Sequence, residues 1–212
     1  MDMTTDVSRF PASSDECSRA ALRRTQILDA AAQCFRTSGF HGASIASISR
    51  LAGMSTGHIY HYFDNKEAII AAIVQRDLER LVTVWAELRA ARDVCETMVA
   101  RSAECVTKHL DADVARLQLE ILTEATRNPE VARTVYAADC CCMASLVETL
   151  RLARRANGRH DDDATLVSMA EVLAAMFEGL MIRAIRNPGL AHENLTPMVQ
   201  HLIRQLIAGA GD

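Results

Sequence analysis

Apolar residues recur at spacings of three and four along most of the chain, which is the period of an α-helix. In residues 18–38 they fall on one helical face, and Gly39 follows as the expected stop. That face consists of Ile27, Leu28, Ala31, Cys34 and Phe35. No strand-like alternation of polar and apolar positions appears, so the pattern predicts an all-α fold.

Two short helices are predicted next, over 44–51 and 55–63, and they are separated by Ala52, Gly53 and Met54. Gly53 can take the left-handed conformation that ends the first helix, and Ser55 can accept hydrogen bonds from the free amides of the second. Two short helices joined by a tight glycine turn form a helix-turn-helix. Asp64, followed three residues later by Glu67, then predicts a capping box that opens a long helix over 65–90.

The rest of the chain is predicted to be helical as well. The expected breaks are Pro129, Gly158, Pro188 with Gly189, and Pro197. The expected helices span 93–110, 112–127, 129–157, 162–187 and 194–208. We therefore expect three parts: a disordered arm over 1–16, a helix-turn-helix head over 17–66, and a helical effector-binding and dimerisation body over 67–212.

Composition and charge narrow the class of protein. Hydrophobic residues make up 50% of the 212 residues and charged residues 24%, which excludes a disordered chain. The net charge is −4, yet the head carries six basic residues against two acidic ones. A basic head on an acidic body predicts a polyanionic partner at one end of the molecule.

The seven cysteines are an odd number, none forms a C-x-x-C pair, and no signal-peptide pattern precedes them. These features predict free thiols in a reducing cytoplasm. The most apolar stretch, 166–185, contains Glu171, Glu178 and Arg183, whose charges are costly inside a bilayer. We therefore expect a buried or interfacial helix and no membrane partner.

A helix-turn-helix binds DNA by placing its second helix in the major groove. If Ile59 and Phe63 face inward, then Gly57, His58, Tyr60 and His61 face outward, toward DNA. Helix starts and nearby arginines supply phosphate contacts. The candidate DNA-binding residues from this pattern are Arg23, Arg24, Ser44, Thr56, Gly57, His58, Tyr60, His61 and Lys66. His58 and His61 are spaced for metal chelation but lie where DNA should bind, so no metal site is expected.

Residues 23–70 resemble the amino-terminal domain of the TetR family of transcriptional regulators. The resemblance implies an all-helical homodimer that binds an operator and holds an effector in a variable body. It also implies DNA-contact roles for Ser44, Ser55, Gly57, Tyr60, Tyr62 and Lys66. His58 departs from the pattern, because a small Thr or Ser is common at that position. The matching residues are Ile27-Leu28-x-Ala30-Ala31, Phe35, Gly39-Phe40, Ser44, Ile48, Ala52-Gly53-Met54-Ser55-x-Gly57, Ile59-Tyr60-x-Tyr62-Phe63 and Lys66-Glu67.

The body is rich in methionine, which suits an adaptable pocket for a hydrophobic small molecule. The candidate ligand-binding residues are Met98, Cys105, Met143, Met176, Phe177 and Glu178. Glu171 lies on the face of Glu178 and could join it in holding a cationic group, although we favour a solvated position for Glu171. The series Leu166, Leu173 and Leu180 repeats every seven residues and predicts a dimer interface built by the last two helices.

The leading hypothesis is a repressor that a small effector releases from a palindromic operator. A thiol-based redox sensor using Cys140, Cys141 and Cys142 is one alternative, although consecutive helical residues point about 100° apart and cannot converge. An enzyme that retains the helical head is another, but no G-x-S-x-G, H-E-x-x-H or phosphate-binding glycine loop is present. We expect no enzymatic activity and no cofactor.

Overall fold

The computed structural model describes residues 14–209, with side chains from Ser18 onward. Secondary structure in this part of the chain is helical throughout, which confirms the all-α prediction. Residues 1–13 of the expected arm lie outside the described residues, and 14–16 already belong to the first helix. The helices are α1 (Ser14–Gly42), α2 (Ile45–Leu51), α3 (Thr56–Tyr62), α4 (Lys66–Ala90), α5 (Val94–His109), α6 (Ala112–Ala125), α7 (Pro129–Ala156), α8 (Asp163–Arg186) and α9 (His192–Ala208).

The ends of the early helices follow local sequence signals. The Ser44 hydroxyl accepts a hydrogen bond from the Ser47 amide at 3.0 Å, and the Ser47 hydroxyl accepts one from the Ser44 amide at 2.9 Å. Gly39 interrupts α1 with a φ of 71°, a conformation that a side chain would strain. The capping prediction for Asp64 is wrong by one residue. Asn65 is extended, and its side chain accepts from the Ala68 amide at 2.7 Å, so α4 begins at Lys66.

Pro197 does not break the last helix as predicted. Helix α9 begins at His192 and continues through Pro197, its sixth residue. Pro197 removes only the hydrogen bond that its own amide would donate to the carbonyl of Glu193, and the rest of α9 continues. Pro129, in contrast, opens α7 as expected.

Two hydrophobic clusters organise the described residues, and α4 contributes to both. The first cluster packs α1, α2, α3 and the start of α4 together with Leu117 and Ile121 of α6 and Val131 of α7. The second packs Leu88 of α4 with α5, α8, α9 and the second half of α7. The head is therefore joined to the body through a shared core rather than through a free linker.

The heptad leucines of α8 do not form an exposed dimer surface. Leu166, Leu173 and Leu180 are buried in the second cluster of their own protomer, so that part of the dimer prediction is wrong. Periodicity shows that a face is buried but not which partner buries it. The exposed apolar residues on α8 and α9 are Val167, Val172, Ile182, Ile185, Met198 and Leu202.

By length and mean hydropathy, α8 could cross a membrane, and only 22% of its most apolar stretch is buried. It nevertheless carries Glu171, Glu178 and Arg183 and packs against α5, α6 and α7. We interpret α8 as a bundle helix whose outer face is apolar.

A buried arginine fastens the end of α9 to α7. Arg154 is 3% exposed, and its guanidinium donates to both carboxylate oxygens of Asp161 at 2.6 Å. It also donates to the carbonyls of Leu206 and Ile207 at 2.9 and 3.0 Å. These bonds satisfy carbonyls at a helix end that have no partner inside the helix, and the hydrogen bond from Arg154 lowers the pKa of Asp161.

Candidate functional site

Hydrogen bonds fix the angle between α2 and α3. The Gln26 side chain of α1 donates to the Ala52 carbonyl at 2.8 Å, and the Met54 amide donates to the Ser49 carbonyl at 2.9 Å. Gly53, with a φ of 65°, makes the turn between the helices. The turn is thus held by a hydrogen bond from α1 and by one of its own to α2, and these bonds fix the orientation of α3.

Helix α3 has one buried face and one exposed face. Ile59 is fully buried and Phe63 nearly so. Tyr60 is 52% exposed, although a tyrosine ring is largely apolar. The expected DNA-facing residues Thr56, Gly57, His58, Tyr60 and His61 are all exposed. A Cβ added at Gly57 would meet no atom within 4 Å, so the backbone is open to close approach there.

Three aromatic rings form a cluster on α3. The Tyr62 ring lies 5.4 Å from His58 and 5.3 Å from His61, both in edge-on geometry. Tyr62 is half-buried against the first hydrophobic cluster. The sequence alone did not indicate that the two histidines pack against Tyr62 through edge-on ring contacts.

The other residues predicted to contact phosphates differ in the partners that their side chains already have. The hydroxyls of Ser44 and Ser55 accept hydrogen bonds from their own helices and remain exposed. Arg23 donates to Gln26 at 3.2 Å, and the exposed guanidinium of Arg24 lies 5.3 Å from the centre of the Phe63 ring. Both arginines therefore stay on the surface of the head.

Lys66 is not a free phosphate-binding group as the sequence suggested. Its half-buried ammonium donates to the Phe40 carbonyl at 2.7 Å and to the Ala43 carbonyl at 2.9 Å, and it lies 4.4 Å from the centre of the Phe40 ring. The side chain thus ties the start of α4 to the end of α1. It stabilises the head from the inside.

A cavity of about 860 Å³ lies between α4, α5, α6, α7 and α8. Its volume suits a small organic molecule. The wall is largely apolar and includes Val74, Leu78, Leu81, Val114, Ile121, Leu122, Val135, Met143 and Met181. The polar residues of the wall are Asp77, Lys108, His109, Gln118, Thr126, Tyr136, Asp139, Glu171 and Glu178.

Only two of the six predicted ligand-binding residues, Met143 and Glu178, line this cavity. Met98, Met176 and Phe177 instead pack in the second hydrophobic cluster, and Cys105 is half-buried outside the cavity wall. These four residues lie outside the cavity wall. Composition identifies flexible apolar residues, but it does not show which face of a helix each one occupies. Glu171, which we expected to be only solvated, is both exposed and part of the wall.

The sequence reasoning missed the contributions of α4 and α6 to the cavity, and it missed His109. Burial lowers the pKa of His109, so its ring is neutral near pH 7. Nδ1 lies 2.7 Å from the Cys105 carbonyl, which can only accept, so Nδ1 carries the proton. Nε2 is therefore left as a hydrogen-bond acceptor.

None of the shifted thiol pKa values favours a redox centre, and Cys140 and Cys141 of that alternative are exposed. Cys142 lines the cavity, and burial raises the pKa of its thiol, with a further contribution from Asp139. Burial likewise raises the pKa of Cys95 and Cys105. Redox-sensing thiols need a lowered pKa, because the thiolate is the reactive form.

Helix α6 connects the cavity wall to the head. Glu120 accepts a hydrogen bond from the Phe40 amide at 3.0 Å, and the buried carboxylate of Glu124 lies 3.2 Å from Nε2 of His41. The two glutamates are one turn apart, on a face of α6 next to the face that lines the cavity. The end of α1 therefore contacts the same helix that a bound molecule would touch.

A rigid recognition helix on a basic head, joined by a shared helix to a cavity, defines a helix-turn-helix regulator. Residues 27–73 match the family model described as bacterial regulatory proteins, tetR family. Residues 91–208 match the model described as BetI-type transcriptional repressor, C-terminal. The chain belongs to the TetR family.

Named relatives agree with this assignment. The chain is 38% identical over 109 residues to the transcriptional regulator UidR of Escherichia coli, a match that covers 51% of this chain and 55%, a little over half, of UidR. It is 30% identical over 142 residues to the repressor Rv1474c of Mycobacterium tuberculosis, covering 67% of this chain and 72% of Rv1474c. The structure of Salmonella enterica GusR, 29% identical, superposes with a TM-score of 0.70 over 89% of this chain and 96% of GusR.

Proposed function

We propose that this protein is a transcriptional repressor that acts in the cytoplasm, binds operator DNA as a homodimer, and leaves the DNA when a small molecule occupies the cavity. The exposed face of α3 carries the DNA-binding part of the proposal. Tyr60 and its exposed neighbours project from a helix whose opposite face is fixed in the core. A basic head suits the phosphate backbone on either side of a major groove.

The homodimer is supported by the outer faces of α8 and α9. Val172 of α8 is 63% exposed and Met198 of α9 is 58% exposed, both high for apolar side chains. Two helices from each of two protomers can bury such faces as a four-helix interface around a two-fold axis. A two-fold dimer in turn predicts an operator with two inverted half-sites, spaced so that both α3 helices reach the major groove on one side of the DNA.

The effector response is supported by the position of α6. A ligand shifts the equilibrium between two arrangements of the head only if it binds the protein more tightly in one of them. A molecule in the cavity meets this condition if it prefers one position of α6 and that position is linked to one arrangement of the head. Contacts from Glu120 and Glu124 to the end of α1 give such a shift a route to the head. A typical coupling weakens DNA binding by roughly 5- to 150-fold at saturation.

Selection from a random DNA pool, followed by mobility-shift titration, tests the proposal. We expect enrichment of an inverted repeat, and a loss of affinity of about tenfold or more for Tyr60→Ala. Tyr60→Phe separates the phenolic hydroxyl from the ring, and Val82→Ala, an exposed change on α4 of the body, is the matched control. Failure to enrich any sequence, or equal affinity of Tyr60→Ala and Val82→Ala, would refute DNA recognition by α3.

A further inference from the structure

Two histidines occupy the exposed face of α3, where the proposed function places DNA. His58 and His61 are both exposed and lie one helical turn apart, with ring centres separated by 6.5 Å. Each ring also meets the Tyr62 ring in edge-on geometry, at 5.4 and 5.3 Å. Because Tyr62 is half-buried against the first hydrophobic cluster, these contacts hold the two imidazoles beside each other on the surface of the helix.

Neither imidazole has a counter-charge within the protein. In the described part of the chain, no ion pair and no side-chain hydrogen bond joins either ring to another group. His41, the third histidine of the head, is in contrast engaged by the buried carboxylate of Glu124. The charged side chains in the adjoining parts of the head are Arg24 of α1, Arg50 of α2, Asp64 in the link to α4, and Lys66 and Glu67 at the start of α4.

DNA offers mainly hydrogen-bond acceptors to such a pair of rings. Phosphate oxygens only accept, and in the major groove guanine presents two acceptors, N7 and O6. A neutral imidazole has one donor nitrogen and one acceptor nitrogen, whereas a protonated imidazole has two donors. Protonation therefore removes an acceptor that would face the acceptors of DNA, and it adds a positive charge.

The short distance between the two rings makes proton uptake part of DNA binding. In the free protein, two positive imidazoles with centres 6.5 Å apart repel each other. The negative potential of the phosphates offsets this repulsion, so the complex with DNA holds more protons than the free protein. Imidazole is the side chain whose charge ordinarily changes between pH 5 and 8, so the difference falls in the neutral range of pH.

We propose that His58 and His61 bind the operator as imidazolium ions, which makes operator binding proton-linked. This proposal rests on the proposed function, because it takes α3 as the DNA-binding helix. It goes further by assigning the protonation state of the bound protein and a dependence of operator affinity on pH. By linkage, the logarithm of the affinity rises by the number of protons taken up for each unit by which the pH falls.

Mobility-shift titration of the selected operator at pH 8, 7 and 6, at constant salt, tests the proposal. We expect the affinity to rise by about tenfold or more between pH 8 and pH 6. In the double variant His58→Gln and His61→Gln, each glutamine keeps a hydrogen-bond donor but does not titrate, so the affinity should change by less than about threefold. His41 stays in this variant, so a pH dependence that arises from His41 would persist.

The matched control is the double variant His160→Gln and His192→Gln. It removes two exposed histidines of the body and should keep the wild-type pH profile. The selected operator and a scrambled duplex distinguish the two kinds of DNA acceptor. A pH dependence confined to the selected operator assigns the imidazoles to base edges, and one shared by both duplexes assigns them to phosphates.

Calorimetry on the wild-type protein counts the protons directly and does not depend on a variant. Operator titrations at pH 6.5, in two buffers with different enthalpies of ionisation, should show uptake of about one proton or more per dimer. No proton uptake, an affinity independent of pH, or the wild-type pH profile in the variant of His58 and His61 would each overturn the proposal. If no DNA sequence is selected at any pH, the proposed function itself fails and this inference falls with it, an outcome that is seen before any pH titration begins.

Discussion

Replacing Lys66 with alanine separates a structural role from a DNA contact. The ammonium makes two charge-assisted hydrogen bonds to the carbonyls of Phe40 and Ala43, at 2.7 and 2.9 Å, and lies over the Phe40 ring. If a hydrogen bond to a charged group contributes about 1.5–3 kcal/mol, partial exposure of Lys66 reduces each to about 1 kcal/mol. We therefore expect Lys66→Ala to destabilise the protein by about 2 kcal/mol.

Thermal unfolding measures this change. For a chain of this length, about 2 kcal/mol lowers Tm by roughly 4–8 °C. Amide hydrogen exchange should locate the loss in the first hydrophobic cluster, around the end of α1 and the start of α4. Lys108→Ala is the control, because Lys108 is exposed and lies in the body.

The salt dependence of DNA binding discriminates between the two roles. A lost phosphate contact makes the slope of log affinity against log salt shallower by about 0.9. If Lys66 holds the head together from the inside, the slope of the folded variant should match that of the wild type. Wild-type stability together with a shallower slope would refute this reasoning and indicate that Lys66 contacts the phosphate backbone.

Three further outcomes follow from contacts in the body. Arg154→Met should lower the free energy of unfolding by about 3 kcal/mol in a denaturant titration, because it leaves the Asp161 carboxylate without its partner. Since the folded pKa of Asp161 is lowered, the stability that this carboxylate contributes is present above its ordinary pKa and is lost as the pH falls below about 4. Asp161→Asn should therefore flatten the loss of stability at acid pH. The folded pKa of Glu178 is raised, so its carboxylate opposes folding as the pH rises above the ordinary pKa of a glutamate, and fully so above the raised pKa. Glu178→Gln should therefore raise Tm at pH 7 but not at pH 3. An equal or lower Tm at pH 7 would contradict this. Glu120→Ala removes the acceptor of the Phe40 amide, so effector saturation should weaken DNA binding less than in the wild type; an undiminished response would exclude this contact from the coupling.

Local signals predicted the head well. Serines that cap helices, a glycine in the turn and apolar residues at helical spacing act within a few positions of one another, and the structure has Ser44, Ser55 and Gly53 in those roles. The exposed side of α3 also followed from the burial of Ile59 and Phe63. Because these features depend on residues that are close together in the sequence, they can be predicted from the sequence.

The body was predicted less well because its decisive contacts are distant in sequence. The hydrogen bond between Glu120 and the Phe40 amide joins residues 80 positions apart, and no local pattern signals it. The α8 leucines show the same limit, since a heptad repeat fits an internal core as well as a dimer interface. Cavity residues such as His109 and Asp139 become neighbours only when α5, α7 and α8 pack.

Electrostatics alone do not explain how an effector in the cavity would release the head from DNA. Salt screens charges separated by more than about 10 Å at 0.1 M. Release therefore requires a change in geometry.

The end of α1 is where such a change would reach the head. Glu120 of α6 binds the Phe40 amide, and Lys66 at the start of α4 binds the Phe40 carbonyl, so one peptide segment is held from the body and from the head. The contact from α6 therefore determines the consequence of effector binding in the proposed function. Because Glu120 is not part of the cavity wall, Glu120→Ala should loosen the α1 contact without changing how the cavity binds a ligand.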